Sequence, residues 1–182
     1  MANRIILNNT SYFGYNAREH LIDEIKGRGY KKDLVVTDKS LIDANVTNKV
    51  TELLDKISFA YDIYCDIKPN PNIHNVNEGL DILRDTNADV LIAVGGGSVI
   101  DTAKCMSIII TNPEFSDVVS LDGTANTKNP GMPVIALPTT AGTAAEVTIN
   151  YVITDDERKK KMVCVDPHDI PVVAIIDPDL MA

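Results

Sequence analysis

Two segments carry residue types whose spacing can do chemistry. In the first, the apolar run Val90-Leu91-Ile92-Ala93-Val94 meets Gly95-Gly96-Gly97-Ser98 and then a helical pattern from Val99 onward. Glycines let a ligand approach the main chain, because no Cβ stands in the way. Free N–H groups and the dipole at a helix start favour an anion, so a phosphate or pyrophosphate fits there. A tight strand-to-helix turn with no ligand would use the same glycines. The run is not the G-x-G-x-x-G fingerprint of the Rossmann turn. Ser98 and Asp101 stand at the S-x-x-D spacing of a capping box. Asp101 therefore either caps this helix or accepts a hydrogen bond from a neutral amide or hydroxyl.

The second segment is Pro133-Val134-Ile135-Ala136-Leu137-Pro138-Thr139-Thr140-Ala141-Gly142-Thr143. A buried strand again ends in a small-residue turn, with the hydroxyls of Thr139, Thr140 and Thr143 at its carboxyl end. In open α/β sheets ligands bind outside that end of the strands. The hydroxyls suit phosphate and ribose oxygens; bonds to their own backbone are the plainer use. Asp38 follows the run Leu34-Val35-Val36-Thr37. Its carboxylate can take both ribose hydroxyls of an adenosine and would repel a 2′-phosphate, favouring NAD over NADP. It also suits a helix cap. His20, His74 and His168 are scattered, with no H-x-x-x-H or H-E-x-x-H, and read as structural or surface residues. Neither a G-x-S-x-G elbow nor a Walker motif occurs.

The elements that must position these residues alternate. Strands are read at Arg4–Leu7, Leu34–Thr37, Tyr61–Ile67, Val90–Val94, Pro133–Leu137 and Val172–Ile176. Helices are read at Asn16–Gly27, at Val46 through Ile57, at Val76–Arg84 and at Val99–Ile110. Lys68-Pro69-Asn70-Pro71-Asn72 is an irregular turn. Val147–Thr154 and Met162–Val165 flank the charged turn Asp155–Lys161 as a hairpin. The fold class expected is α/β, a Rossmann-like parallel sheet with helices on both faces plus a β-hairpin.

At 182 residues this is one domain, two at most. The formal net charge of −9 argues against nucleic acid, which needs clustered Lys and Arg. No apolar stretch is long enough to span a membrane, and the N-terminus lacks a signal-peptide core. Cys65, Cys105 and Cys164 are odd in number and far apart, without C-x-x-C, so a reducing cytoplasm is expected. Cys105, in an apolar helix, reads as a buried small hydrophobe.

The combination Gly95-Gly96-Gly97-Ser98-x-x-Asp101 with Pro138-Thr139-Thr140-Ala141-Gly142-Thr143-x-x-Glu146-Val147-Thr148 resembles the iron-containing (group III) alcohol dehydrogenases. Asn3–Asn8 and Val163–Pro171 support the match, which runs over essentially the whole chain. The resemblance implies a two-domain enzyme. Its N-terminal α/β domain binds NAD, and a helical C-terminal domain supplies one Asp and three His to a catalytic Fe(2+). Residues 1–182 match the first domain only, so no catalytic or metal residue carries over. Asp177-Pro178 reads as the start of a helix broken off at Ala182.

What carries over is cofactor binding. The resemblance implies that Asp38 holds the adenosine ribose, with Asn70 near the same end and Leu180 packed beside it. It places Gly96, Gly97 and Ser98 on the pyrophosphate, and Thr139, Thr140 and Thr143 on adenine-side and phosphate oxygens. Asp101 meets the carboxamide, Thr148, Asn150 and Val152 line the nicotinamide side, and Lys161 reaches a ribose hydroxyl. The implied whole-protein reaction is reversible hydride transfer between nicotinamide C4 and a small aldehyde or diol, by a homodimer, with this chain alone inactive. A glycerol dehydrogenase-like or dehydroquinate synthase-like relative, or a stand-alone nucleotide-binding module, are the alternatives.

Overall fold

The computed structural model describes residues 4–181; Met1–Asn3 and Ala182, where the last helix was expected to break off, lie outside them. Strands β1 (Thr10–Phe13), β2 (Lys32–Val36), β3 (Ala60–Tyr64), β4 (Val90–Gly95), β6 (Val134–Pro138) and β9 (Val173–Ile176) form one sheet. Its order is β1-β9-β6-β4-β2-β3, and every pairing is parallel. Both faces are covered, which is why β4 and β6 read as continuous apolar runs.

Alternate residues of each strand feed two cores. Leu34, Val36, Leu91, Ala93, Val134 and Ala136 pack with α4 (Ile73–Thr86) and α5 (Gly97–Thr111). Val35, Ile92, Val94, Ile135 and Leu137 pack on the other face with α1 (His20–Arg28) and α3 (Asn48–Lys56). Helix α1 ends at Gly29, whose φ of 73° allows the left-handed cap. Helix α4 starts at a reciprocal box: Asn72 Oδ1 accepts from Asn75 N at 3.0 Å, and Asn75 Oδ1 from Asn72 N at 3.3 Å.

The expected hairpin is β7 (Asn150–Asp155) with β8 (Lys160–Val165), antiparallel, joined by β5 (Gly123–Thr124) in a second sheet that lies over α5. Thr154 N donates to Pro71 O at 2.7 Å, which docks the hairpin on the proline-rich turn.

Two expectations need correction, and one short helix is added. Arg4–Leu7 is not a strand; the edge strand is β1, whose Thr10–Phe13 find a partner in β9, whereas the earlier apolar run has none. Helix α5 starts at Gly97 with Gly96 as its cap residue, so Ser98 and Asp101 form no capping box. The short helix α2 (Lys39–Asp43), capped by Asp38, stands where no element was read.

Candidate functional site

Four parallel strands end around one cleft of about 690 Å³. Asp38 follows β2, Cys65–Pro69 follow β3, Gly96–Val99 follow β4, and Thr139 and Thr140 follow β6; all line it. The chain runs outward from β2 to β3, then crosses to β4 on the other side. The cleft therefore sits where the strand order reverses, the place at which open α/β sheets bind ligands.

The two small-residue segments face each other. A Cβ on Gly96 would stand 3.0 Å from Thr140 Oγ1, and one on Gly97 only 2.8 Å from Thr143 Oγ1. Only glycine keeps this approach open. Gly96 O accepts from Val99 N and Ile100 N, and Gly97 N and Ser98 N have no acceptor among the described residues. Two free donors at the start of a 15-residue helix suit an anion.

Asp38 caps a helix at the wall of the cleft. Its Oδ1 accepts from Leu41 N at 3.1 Å and from Ser40 Oγ, capping α2, while the residue borders the cleft. Lys39 pairs with Asp66 at the exposed rim.

A second group assembles on the hairpin side, outside the cleft lining. Asp101 Oδ2 accepts a hydrogen bond from the main-chain N–H of Val152 at 3.0 Å. Burial pushes its carboxyl up to about 6, against the lowering effects of Val152 N–H and Lys104. Lys161 Nζ donates to Asn70 Oδ1 at 2.8 Å, so these two site candidates meet each other. Thr148 and Asn150 border a further cavity of about 380 Å³ with Arg4, Ile6, Val147, Ile149 and Pro167. Leu180 stands apart: it is 1% exposed and packs in the α1–α3 core.

Sequence reasoning missed Lys104. A lysine inside an otherwise apolar helix, three positions after Asp101, was the available signal. Its side chain is fully buried, and Nζ donates to Ala145 O at 3.1 Å, Thr148 O at 2.7 Å and Asn150 O at 2.7 Å. Asp169, also buried, lies 3.3 Å away. Burial pushes the Asp169 carboxyl up to about 7 and lowers Lys104, each opposed by the other's charge.

No group of three or more His, Cys, Asp or Glu is placed to hold a metal among the described residues. His20 stacks on Tyr12, His168 bonds Thr127 and Asp166, and His74 is exposed on α4. Cys65, Cys105 and Cys164 are free thiols, and Cys105 is buried as expected. No described helix is long and apolar enough to cross a membrane.

Sheet order and glycine turn define a Rossmann-like α/β domain. The sequence model of iron-containing alcohol dehydrogenases matches residues 8–178, and the chain belongs to that family. It is 57% identical over 181 residues to lactaldehyde reductase of Escherichia coli K12, covering all of this chain and 47% of that protein. It superimposes on 1,3-propanediol oxidoreductase with a TM-score of 0.94 at 35% identity, covering all of this chain and 47% of that one. Sulfoacetaldehyde reductase from Bifidobacterium kashiwanohense, in complex with NAD+, gives 0.85 at 30% identity, with 100% and 47% covered. The chain thus spans about half the length of the relatives it matches.

Proposed function

We propose that this chain is the NAD-binding part of an iron-dependent alcohol dehydrogenase whose whole-protein reaction is the reversible reduction of lactaldehyde to 1,2-propanediol with NADH. The observation that carries the reading is the close approach of Gly96 to Thr140 and of Gly97 to Thr143 at a cleft lined by Gly96, Gly97, Thr140 and Asp38. The free N–H groups of Gly97 and Ser98 take the pyrophosphate, with Thr139, Thr140 and Thr143 beside it. Asp38 turns its carboxylate to the adenosine ribose. Asn70 and Lys161, already paired, close that end of the site. Asp101, Thr148, Asn150 and Val152 border the nicotinamide half.

NADH, when bound, supplies the hydride and this domain fixes its direction. The described residues do not fit an iron site. A homodimer in a reducing cytoplasm completes the proposal, in keeping with the three free thiols.

Fluorescence titration of the chain with NADH and NADPH, without added metal, tests the reading. Saturable binding of NADH and much weaker binding of NADPH is the expected result. No binding by the folded chain would overturn it.

A further inference from the structure

Lys104 touches nothing in the cleft, yet it holds the loop that leads away from it. An ammonium has three N–H donors. All three find main-chain carbonyls: Ala145 O, Thr148 O and Asn150 O. These span the end of the threonine loop and the first residue of β7. The saturation of the ammonium explains an oddity of its neighbour. Asp169 Oδ1 is 3.3 Å from Nζ, but neither carboxylate oxygen of this buried residue has a hydrogen-bond partner among the described residues. Asp169 contributes countercharge and no contact to the loop. One turn earlier on the same helix, Asp101 grips Val152 N. Helix α5, which starts at the glycine turn, thereby clamps the whole stretch 145–152 from beneath.

We propose that Lys104 is a positioning residue for the nicotinamide half of the cofactor: through three carbonyls it fixes the backbone that presents Thr148, Asn150 and Val152. The inference rests on the NAD-binding reading above. The adenosine and pyrophosphate half rests on residues that Lys104 does not touch, Asp38, Gly96, Gly97 and Thr140. The two halves of the ligand therefore respond differently to its loss.

The test compares NADH with ADP-ribose, which lacks the nicotinamide, on the wild-type chain, on Lys104→Met and on the charge-neutral double variant Lys104→Met/Asp169→Asn. Removing Lys104 alone leaves Asp169 buried and unpaired, so the double variant guards against unfolding. The expected result is NADH affinity lowered about tenfold or more with ADP-ribose affinity unchanged. Equal loss of both ligands would mark a general effect on the fold and overturn the proposal, as would no loss of either. Hydrogen exchange on the wild type is a second arm that needs no variant. NADH should slow exchange at amides 144–152 and ADP-ribose should not; equal protection by both overturns the proposal. A wild-type chain that binds neither ligand would instead remove the NAD-binding reading itself.

Discussion

Asp38 has one task in the fold and a second proposed for it in the site. Its Oδ1 caps α2 through Leu41 N, and its place beside the cleft supports the ribose contact proposed above. Asp38→Gly separates them, since glycine at a cap position costs only a few tenths of a kcal/mol. We expect discrimination between NADH and NADPH to fall about tenfold or more, measured as a ratio of dissociation constants, each tenfold being about 1.4 kcal/mol. An unchanged ratio would take Asp38 out of the cofactor site. Gly97→Val is the complementary case. Its Cβ alone would stand 2.8 Å from Thr143 Oγ1, where the threonine loop must move away. We expect a folded variant, by far-ultraviolet circular dichroism, that no longer binds NADH. These residues were legible because each sits at a sharp change of pattern, from apolar strand to glycine, threonine or aspartate. Lys104 was not, because its partners are main-chain carbonyls and a sequence does not display those.

At the scale of elements, periodicity was readable wherever a segment is covered on a fixed face. Buried β4 and β6, and amphipathic α1, α3 and α4, stand where the spacing put them. The edge strand β1 was not legible. It has no fully buried position, and its pairing with β9 depends on residues far along the chain. The run Arg4–Leu7 looks more strand-like, but a strand is defined by its partner. Helix starts were equally ambiguous, since Gly96, Ser98 and Asp101 are all acceptable near one and only the backbone at Gly96 decides. Asn72 shows what a cap does for neighbouring elements. It starts α4 through Asn75 and reaches Asp156 of the hairpin turn through Nδ2. Asn72→Ala should lower stability by about 1 kcal/mol in urea unfolding. A loss near zero would show that water replaces the cap.

Across the whole molecule, buried carboxyls set the response to pH. Burial raises Asp33 well above the ordinary range, Asp101 to about 6 and Asp169 to about 7. An unfolded aspartate ionises near 3.8. The folded state thus holds extra protons between those values. Their stabilising contribution is full below about pH 3.8 and is lost as pH rises through about 6 to 7. Asp177 works in the opposite sense. Its burial is outweighed by the Arg18 main-chain N–H and guanidinium, which lower it, so its contribution is lost in acid. Asp169→Asn should flatten the decline of Tm between pH 4 and 7; an unaltered slope would show that Asp169 stays ionised throughout. The parallel pairing of β1 with β9 has a consequence in time. Thr10 meets Val173, 163 positions later. At about 5–20 residues per second of synthesis, β1 waits on the order of ten seconds or more after it is made for its neighbour β9. It is also the pairing with the largest loop to close. In refolding, the β1 amides should be the last of the sheet to gain protection in pulse-labelled exchange, so the strand made before its neighbours in the sheet is the last to join them.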